Sequence, residues 1–186
     1  MFVVINKKRF FSVCVLLAAL VAAILFFCLK TPVEKQIYPQ KYKVIVQKAA
    51  MRYGVDELLI YSVIKAESGF NKSAVSKSGA KGLMQLMDET ALWASEKSGI
   101  TLENIYDPET NIMLGTWYVS YLTENSGDMI TALASYNAGA SNVKKWCAES
   151  GVDTISVEHI QFKETRDYVN KILKYYKKYQ KIYGGE

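Results

Sequence analysis

Residues 10–29 form an unbroken run of 20 residues without a charge, between Lys7, Lys8 and Arg9 on one side and Lys30 on the other. No other feature restricts the chain so tightly. A run this long and apolar satisfies its backbone hydrogen bonds in lipid only as a helix, and about 20 helical residues cross a bilayer core. A cleaved secretory signal is the alternative, but its apolar region is as a rule only about 7–15 residues and ends at a small-x-small site. Here the run ends Phe26-Phe27-Cys28-Leu29-Lys30, with bulky residues where a peptidase needs small ones. A lipid-modified Cys28 meets the same objection in Phe27. The basic cluster before the run predicts a cytoplasmic N-terminus and a single-pass protein of the cell membrane, with everything after Lys30 outside.

The expected organisation is therefore a basic segment and transmembrane signal-anchor over residues 1–30, a tether over 31–39 with prolines at both ends, and one extracytoplasmic domain over 40–186. The net charge of +5 suggests nucleic acid until it is located. Four of the 23 basic residues belong to the first thirty, leaving 19 against 18 acidic ones, so the domain is near neutral and carries no nucleic-acid footprint. Its basic excess is confined to residues 161–186. Cys14 and Cys28 lie in the apolar run and Cys147 is alone in the domain, so no disulfide can brace it and its core must hold it. With one His and one domain Cys, no metal site is expected, and Cys147 reads as a packed small side chain.

The domain has Pro108 as its sole proline beyond the tether and no alternating β-branched run, so it reads as all-α or nearly so. The spacing predicts helices over about 40–53, 56–67, 88–97, 108–124, 128–137, 141–149 and 163–182. Asp56 and Asp107-Pro108 are start signals, and the tract 125–128 ends one helix and begins the next. The helix at 56–67 carries the chemistry. Ile60, Val63, Ile64 and Glu67 fall at i, i+3, i+4 and i+7, so three apolar residues share the inward face with one carboxylate. Burial and the negative end of the helix dipole both raise a carboxyl pKa there, toward a general acid working near neutrality. The bland alternative is a helix-end carboxylate in solvent or paired with a lysine. Ser68-Gly69 then break the helix, and the small, polar loop 71–82 has the composition of a cleft wall.

Glu67-Ser68, then Ser76-Lys77-Ser78-Gly79-Ala80-Lys81-Gly82-Leu83-Met84-Gln85-Leu86-Met87 and Thr90-Ala91, resemble the signature of the lytic transglycosylase family, which is related to goose-type lysozyme. Tyr136-Asn137-Ala138-Gly139 resembles the family's next motif, and residues 162–169, with Glu164, Thr165, Arg166 and Tyr168, resemble its last. The resemblance spans roughly 40–180 and implies a lysozyme-like globular helical domain behind the anchor. It implies Glu67 as the sole catalytic acid/base and Ser68, Gln85 and Met87 near the scissile bond. It also implies Tyr136 and Asn137 across the cleft and a substrate contact from Glu164. Asp88, Ser135 and Gln161 depart from the family's usual Pro, Ala and Pro. Asp88 is expected to cap the helix after it, whereas Gln161 leaves the approach to the last helix less fixed. Arg166 is expected to pair with a carboxylate. Met84, Met87 and Leu83 suit a core as well as a cleft, and the Lys/Tyr stripe from Lys171 suits a solvated basic face or one that meets anionic wall polymers or lipid headgroups.

The implied reaction is non-hydrolytic cleavage of peptidoglycan strands, giving 1,6-anhydro-muramoyl ends without metal or organic cofactor. Most glycosidases flank the bond with two carboxyl groups, the exception being assistance by the substrate's own N-acetyl group. Peptidoglycan glycan strands and the membrane are thus the expected partners, and no protein partner can be named. A hydrolytic muramidase of the same fold and a non-catalytic wall-binding module of a larger envelope machine are the alternatives. A binding module, however, has no need of a buried acid.

Overall fold

The computed structural model describes residues 7–185, apart from the side chains of residues 9, 22, 23 and 25–31. The chain divides into two compact units, Met1–Pro39 and Gln40–Glu186. The first is one helix, α1 (Lys7–Ile37). Each described large apolar side chain from Phe10 to Ile24 is more than half exposed on it. Among the described residues no helix is long and apolar enough to cross a membrane, and the second half of the expected span lies largely outside the described side chains. The tether expected over 31–39 is mostly helical, because the helix continues through Pro32 to Ile37. Pro32 removes one rung of the hydrogen-bond ladder, but Glu34, Lys35 and Gln36 are good helix formers and carry the helix on. Tyr38 closes it by donating its N–H to the Glu34 carbonyl, at 2.8 Å, and Pro39 disfavours a further helical residue before it.

The second unit holds seven α-helices among its described residues and no strand, as expected of the all-α class. They are α2 (Lys43–Tyr53), α3 (Glu57–Glu67), α4 (Asp88–Ser98), α5 (Pro108–Ser126), α6 (Met129–Ala138), α7 (Ala140–Ser150) and α8 (Lys163–Tyr183), with a 3-10 turn, Val157–His159, before the last. Their ends lie within a few residues of the expected ones. Asp56, Asp107 and Asp128 cap α3, α5 and α6 through hydrogen bonds to first-turn N–H groups. The core is built on α5, whose Ile112, Leu114 and Thr116 are fully buried, and on the antiparallel pair α3 and α8. Along that pair Tyr61 stacks on Tyr179 with ring centroids 5.7 Å apart. Ile60, Val63 and Ile64 face inward with them, so the face read from the spacing is the buried one.

The long loop 68–87 between α3 and α4 has no ladder of its own beyond isolated bridges from Lys81 to Val75 and to Leu86. Its order comes from Asn111, a fully buried polar side chain in the first turn of α5. The Asn111 carboxamide accepts from the Met84 N–H at 2.7 Å and donates to the carbonyls of Lys81 at 3.1 Å and Ile105 at 2.8 Å. Gly82, at φ +80, passes so close that a Cβ there would overlap that carboxamide. Asp88 does not cap α4, contrary to expectation: Met87 holds the N-cap position, and Asp88 binds Lys81 at 2.6 Å across the base of the loop. Arg166 also departs from expectation. It donates to the carbonyls of Ile160 and Gln161 instead of a carboxylate and so fixes the approach to α8 that Gln161 leaves without a proline.

Asn111→Ala should therefore cost more than an ordinary core truncation. One buried N–H and two carbonyls lose their partners together, on the order of 2–4 kcal/mol, measurable as a fall in the urea midpoint, with the loop 68–87 losing hydrogen-exchange protection first.

Candidate active site

Glu67 is the last residue of α3. Its backbone position follows from the Asp56 cap eleven residues earlier, and its depth from the three apolar residues that share its face. The carboxylate is half-buried and has one defined side-chain partner: the Tyr168 hydroxyl donates to Glu67 Oε1 at 2.6 Å from the facing wall of α8. One turn further along α8, the Lys171 ammonium donates to the Ala66 carbonyl at 2.7 Å, which brings a positive charge beside the same helix end. Burial pushes the Glu67 carboxyl up from an ordinary 4.5 to about 7, against the pull of the Tyr168 hydrogen bond and the Lys171 charge. The result is a group that holds its proton close to neutral pH and can both give and take it there.

Two tyrosines close on this carboxyl. Burial raises the hydroxyls of Tyr136 and Tyr168 well above the usual phenol range, and the negative charge of Glu67 adds to the rise in both. Both therefore stay neutral donors. Tyr136 spends its proton on the Met84 carbonyl at 2.7 Å, tying α6 to the loop 68–87 directly behind the site. Neighbouring Asn137 is exposed, and its side-chain oxygen accepts from the Thr165 hydroxyl at 2.8 Å, which leaves its amide N–H groups for other acceptors.

Gln85, Met87, Tyr136 and Asn137 come together in one recess of about 220 Å³, completed by Leu86, Thr90, Tyr118 and the Ala138-Gly139 backbone. Thr90 and Tyr118 also line a second recess with Trp93 and Tyr121, so the groove runs on between α4 and α5. Larger cavities, of about 490 and 500 Å³, lie elsewhere and contain none of the expected site residues. Size does not mark this recess, and Glu67 is not among its lining residues; the link between them is Tyr136, which lines the recess and whose hydroxyl feels the Glu67 charge. Ser68 and Gln85 also hold the loop in place. The Ser68 hydroxyl donates to the Leu83 carbonyl at 2.8 Å and accepts from the Phe70 N–H at 3.2 Å, so it clamps the loop to the end of α3. The Gln85 amide donates to the Ala74 and Gly82 carbonyls at 3.1 and 2.9 Å, so its donors are engaged within the loop and its carbonyl oxygen is what it can offer outward. Glu164 is exposed one turn before Tyr168 on α8, on the face that reaches Glu67.

Tyr168 is the residue that sequence reasoning left without a role. Its signal was present, since Glu164, Tyr168 and Lys171 fall at i, i+4 and i+7 on one helix, but that spacing does not name the partner across the fold. Among the described residues no three His, Cys, Asp or Glu side chains cluster as a metal site would require.

The profile of the transglycosylase SLT domain family matches residues 44–157. The chain belongs to this family. The soluble lytic murein transglycosylase of Escherichia coli is 32% identical over 157 residues, covering 80% of this chain and 24% of its own length. The membrane-bound lytic murein transglycosylase C of Yersinia pestis is 40% identical over 116 residues, covering 55% of this chain and 32% of its own. The SLT chain thus spans about a quarter to a third of the length of these relatives. In structure it is similar to the 70 kDa soluble lytic transglycosylase of E. coli, at TM-score 0.76 and 31% identity, over 81% of this chain and 26% of that one. An inactive glutamate-to-glutamine variant of the lytic transglycosylase Slt of Pseudomonas aeruginosa aligns at TM-score 0.70 and 34% identity, over 78% and 25% of the two chains. The all-helical domain is therefore the lysozyme-like SLT fold.

Two outcomes follow from the raised carboxyl. Below about pH 4.5 Glu67 is protonated whether the chain is folded or not. Between 4.5 and about 7 the unfolded chain gives up a proton that the folded one keeps, so stability falls as pH rises and levels off above 7. Glu67→Gln should therefore raise the melting temperature at pH 8, by an amount equivalent to about 3.5 kcal/mol at most, and change it little at pH 4. Tyr168→Phe removes a hydrogen bond that favours the carboxylate. The Glu67 titration, followed by NMR of its side-chain carboxyl, should move up by about one unit. A downward shift would mean that Tyr168 acts on Glu67 chiefly through packing.

Proposed function

We propose that this chain is a membrane-tethered peptidoglycan lytic transglycosylase, which cleaves the MurNAc-β-1,4-GlcNAc bond and leaves 1,6-anhydro-MurNAc ends. The observation that carries the reading is a single half-buried carboxyl, Glu67, held at about 7, with Tyr168, Tyr136 and Lys171 for neighbours and no second carboxylate among the groups that shift it. Asp56 is at the other end of α3, bonded to Tyr176, and Asp88 is engaged with Lys81. A protein that supplies one carboxyl must draw the rest of the chemistry from the substrate.

Protonated Glu67 gives its proton to the glycosidic oxygen, while the N-acetyl carbonyl oxygen of the muramic acid attacks its own anomeric carbon. The C–O bond to the leaving sugar breaks. Ionised Glu67 then takes the proton of the sugar's 6-hydroxyl, whose oxygen closes on the anomeric carbon and displaces the N-acetyl oxygen. Glu67 ends protonated, and no water is consumed. Tyr168 steadies the carboxylate in the half-reaction where it is charged. Asn137 offers its amide N–H groups, Gln85 its side-chain oxygen, and Met87 and Tyr136 an apolar wall to the sugars. Glu164 reaches the strand from the rim, and Ser68 holds the loop that carries Gln85 and Met87. Relatives named as lytic murein transglycosylases support the reading, as does a related enzyme described as inactive on changing one glutamate to glutamine.

The tether rests on α1. Its 31 residues rise about 46 Å. It presents large apolar side chains to the outside, a surface that water does not tolerate and a bilayer core does.

Glu67→Gln should lower the rate of wall digestion by at least about 10²-fold, with the helical content unchanged. Mass spectrometry of muropeptides released by the wild type should give anhydro-muramoyl ends, about 20 Da lighter than borohydride-reduced hydrolysis products, as the loss of water without gain of hydrogens requires. Reduced muramitol ends as the main product, with a large loss of rate in Asp88→Asn or Glu164→Gln, would assign the protein to the hydrolases.

A further inference from the structure

The end of the domain opposite Glu67 has a distinct surface. Because α3 and α8 run antiparallel, Glu67 meets Tyr168 at one end and Asp56 meets Tyr176, at 3.0 Å, at the other. At that second end Lys43 and Gln47 of α2 share a recess with Tyr183 and Gly184 of α8 and with Gln40, where the chain enters the domain. Lys43 lines this recess, and Lys41 beside Gln40 and Lys177 and Lys181 in the last turns of α8 are exposed. The carboxylates nearby are Asp56, whose charge is spent on the α3 cap and the Tyr176 hydroxyl, Glu57, and Glu109, whose charge is met by Lys48 of α2 at 2.6 Å. Beside the lysines, Val44 and Met51 stand at i and i+7 on the outer face of α2, and at 79% and 80% they are the most exposed of the described large apolar side chains.

We propose that this end of the domain, through Lys41, Lys43, Lys177, Lys181, Val44 and Met51, rests on the anionic lipid headgroups of the membrane from which the chain emerges. The inference rests on the tether reading. Seven helical residues follow Lys30 in α1 and two more precede Gln40, so Gln40 lies within about 20 Å of the end of the apolar run, whatever the angle between the units. A basic surface tethered that closely can come down onto the headgroups, whose charge attracts lysines once they are within a Debye length, about 8–10 Å. Two exposed apolar side chains among lysines and tyrosines are the composition of an interfacial contact.

The test uses the full chain in lipid nanodiscs, one set of phosphatidylcholine and one containing phosphatidylglycerol, with a water-soluble lysine acylating reagent read by peptide mass spectrometry. Lys41, Lys43, Lys177 and Lys181 should react at least about threefold more slowly in the anionic discs, while Lys72 and Lys77 on the cleft loop react alike in both. The double variant Lys177→Glu/Lys181→Glu should return Lys41 and Lys43 to the phosphatidylcholine rate. A chain that enters the discs but labels all these lysines alike sinks the surface alone. A chain that stays out of the discs sinks the tether and the surface with it. Slowing that appears only on adding soluble polyglycerol phosphate assigns the face to wall polymer and overturns the membrane contact.

Discussion

The hydrogen bond from Tyr168 to Glu67 joins residues 101 apart in sequence and closes the site. It exists because α3 and α8 pack antiparallel along their lengths, and that packing rests on buried aromatic and aliphatic side chains, with Tyr61 stacked on Tyr179 at its centre. Burial alone would leave Glu67 a poor base, since a deeply desolvated carboxyl holds its proton too tightly to cycle. Tyr168 and Lys171 both favour the ionised form and bring the group back to about 7. The opposed effects suit the part proposed for Glu67, acid and base within one turnover.

The opposite wall is held by a second set of buried polar bonds. Asn111 orders the middle of the loop 68–87, Ser68 clamps its start to α3, Gln85 laces its interior, and Tyr136 ties Met84 to α6. None of these groups needs to touch substrate to matter. A loop of twenty residues with no strand of its own would otherwise sample many shapes, and a binding wall that moves by an ångström loses most of its orienting effect. Motif residues in this stretch therefore divide between those that face the groove, such as Met87, and those whose polar groups are turned inward, such as Ser68.

That division explains what was legible in the sequence. Periodicity placed the helices to within a few residues, and the i, i+3, i+4, i+7 face found Glu67 and its burial before any coordinates, because helix geometry is local. The Asp56 and Asp107 caps were legible for the same reason. The direction of a hydrogen bond across the fold was not. Asp88 looked like a cap, yet it is the first residue of α4, and the lysine seven residues earlier returns through the loop and takes it. Arg166 looked like half of an ion pair, yet two uncapped carbonyls before α8 lie closer at hand. Pro32 looked like a break, but good helix formers after it carried α1 on to Ile37. Gln85 was expected near the scissile bond, a place that did not say which way its amide would turn: its backbone is left-handed, at φ 50, and the amide donates back to the loop.

A single carboxyl also constrains the surrounding electrostatics. With two carboxylates an enzyme can hold one protonated by the charge of the other, as like charges at close range separate their titrations. With one, the proton must be kept by desolvation, and the neighbours must be neutral donors or distant cations. Tyr136 and Tyr168, both raised well above the usual phenol range, meet that condition at every pH at which Glu67 titrates. A carboxylate in place of either tyrosine would hold the proton on Glu67 more firmly, and a lysine in direct contact would strip it away. The tyrosines are thus the side chains that leave Glu67 free to change state, and α8 is the element that delivers one of them.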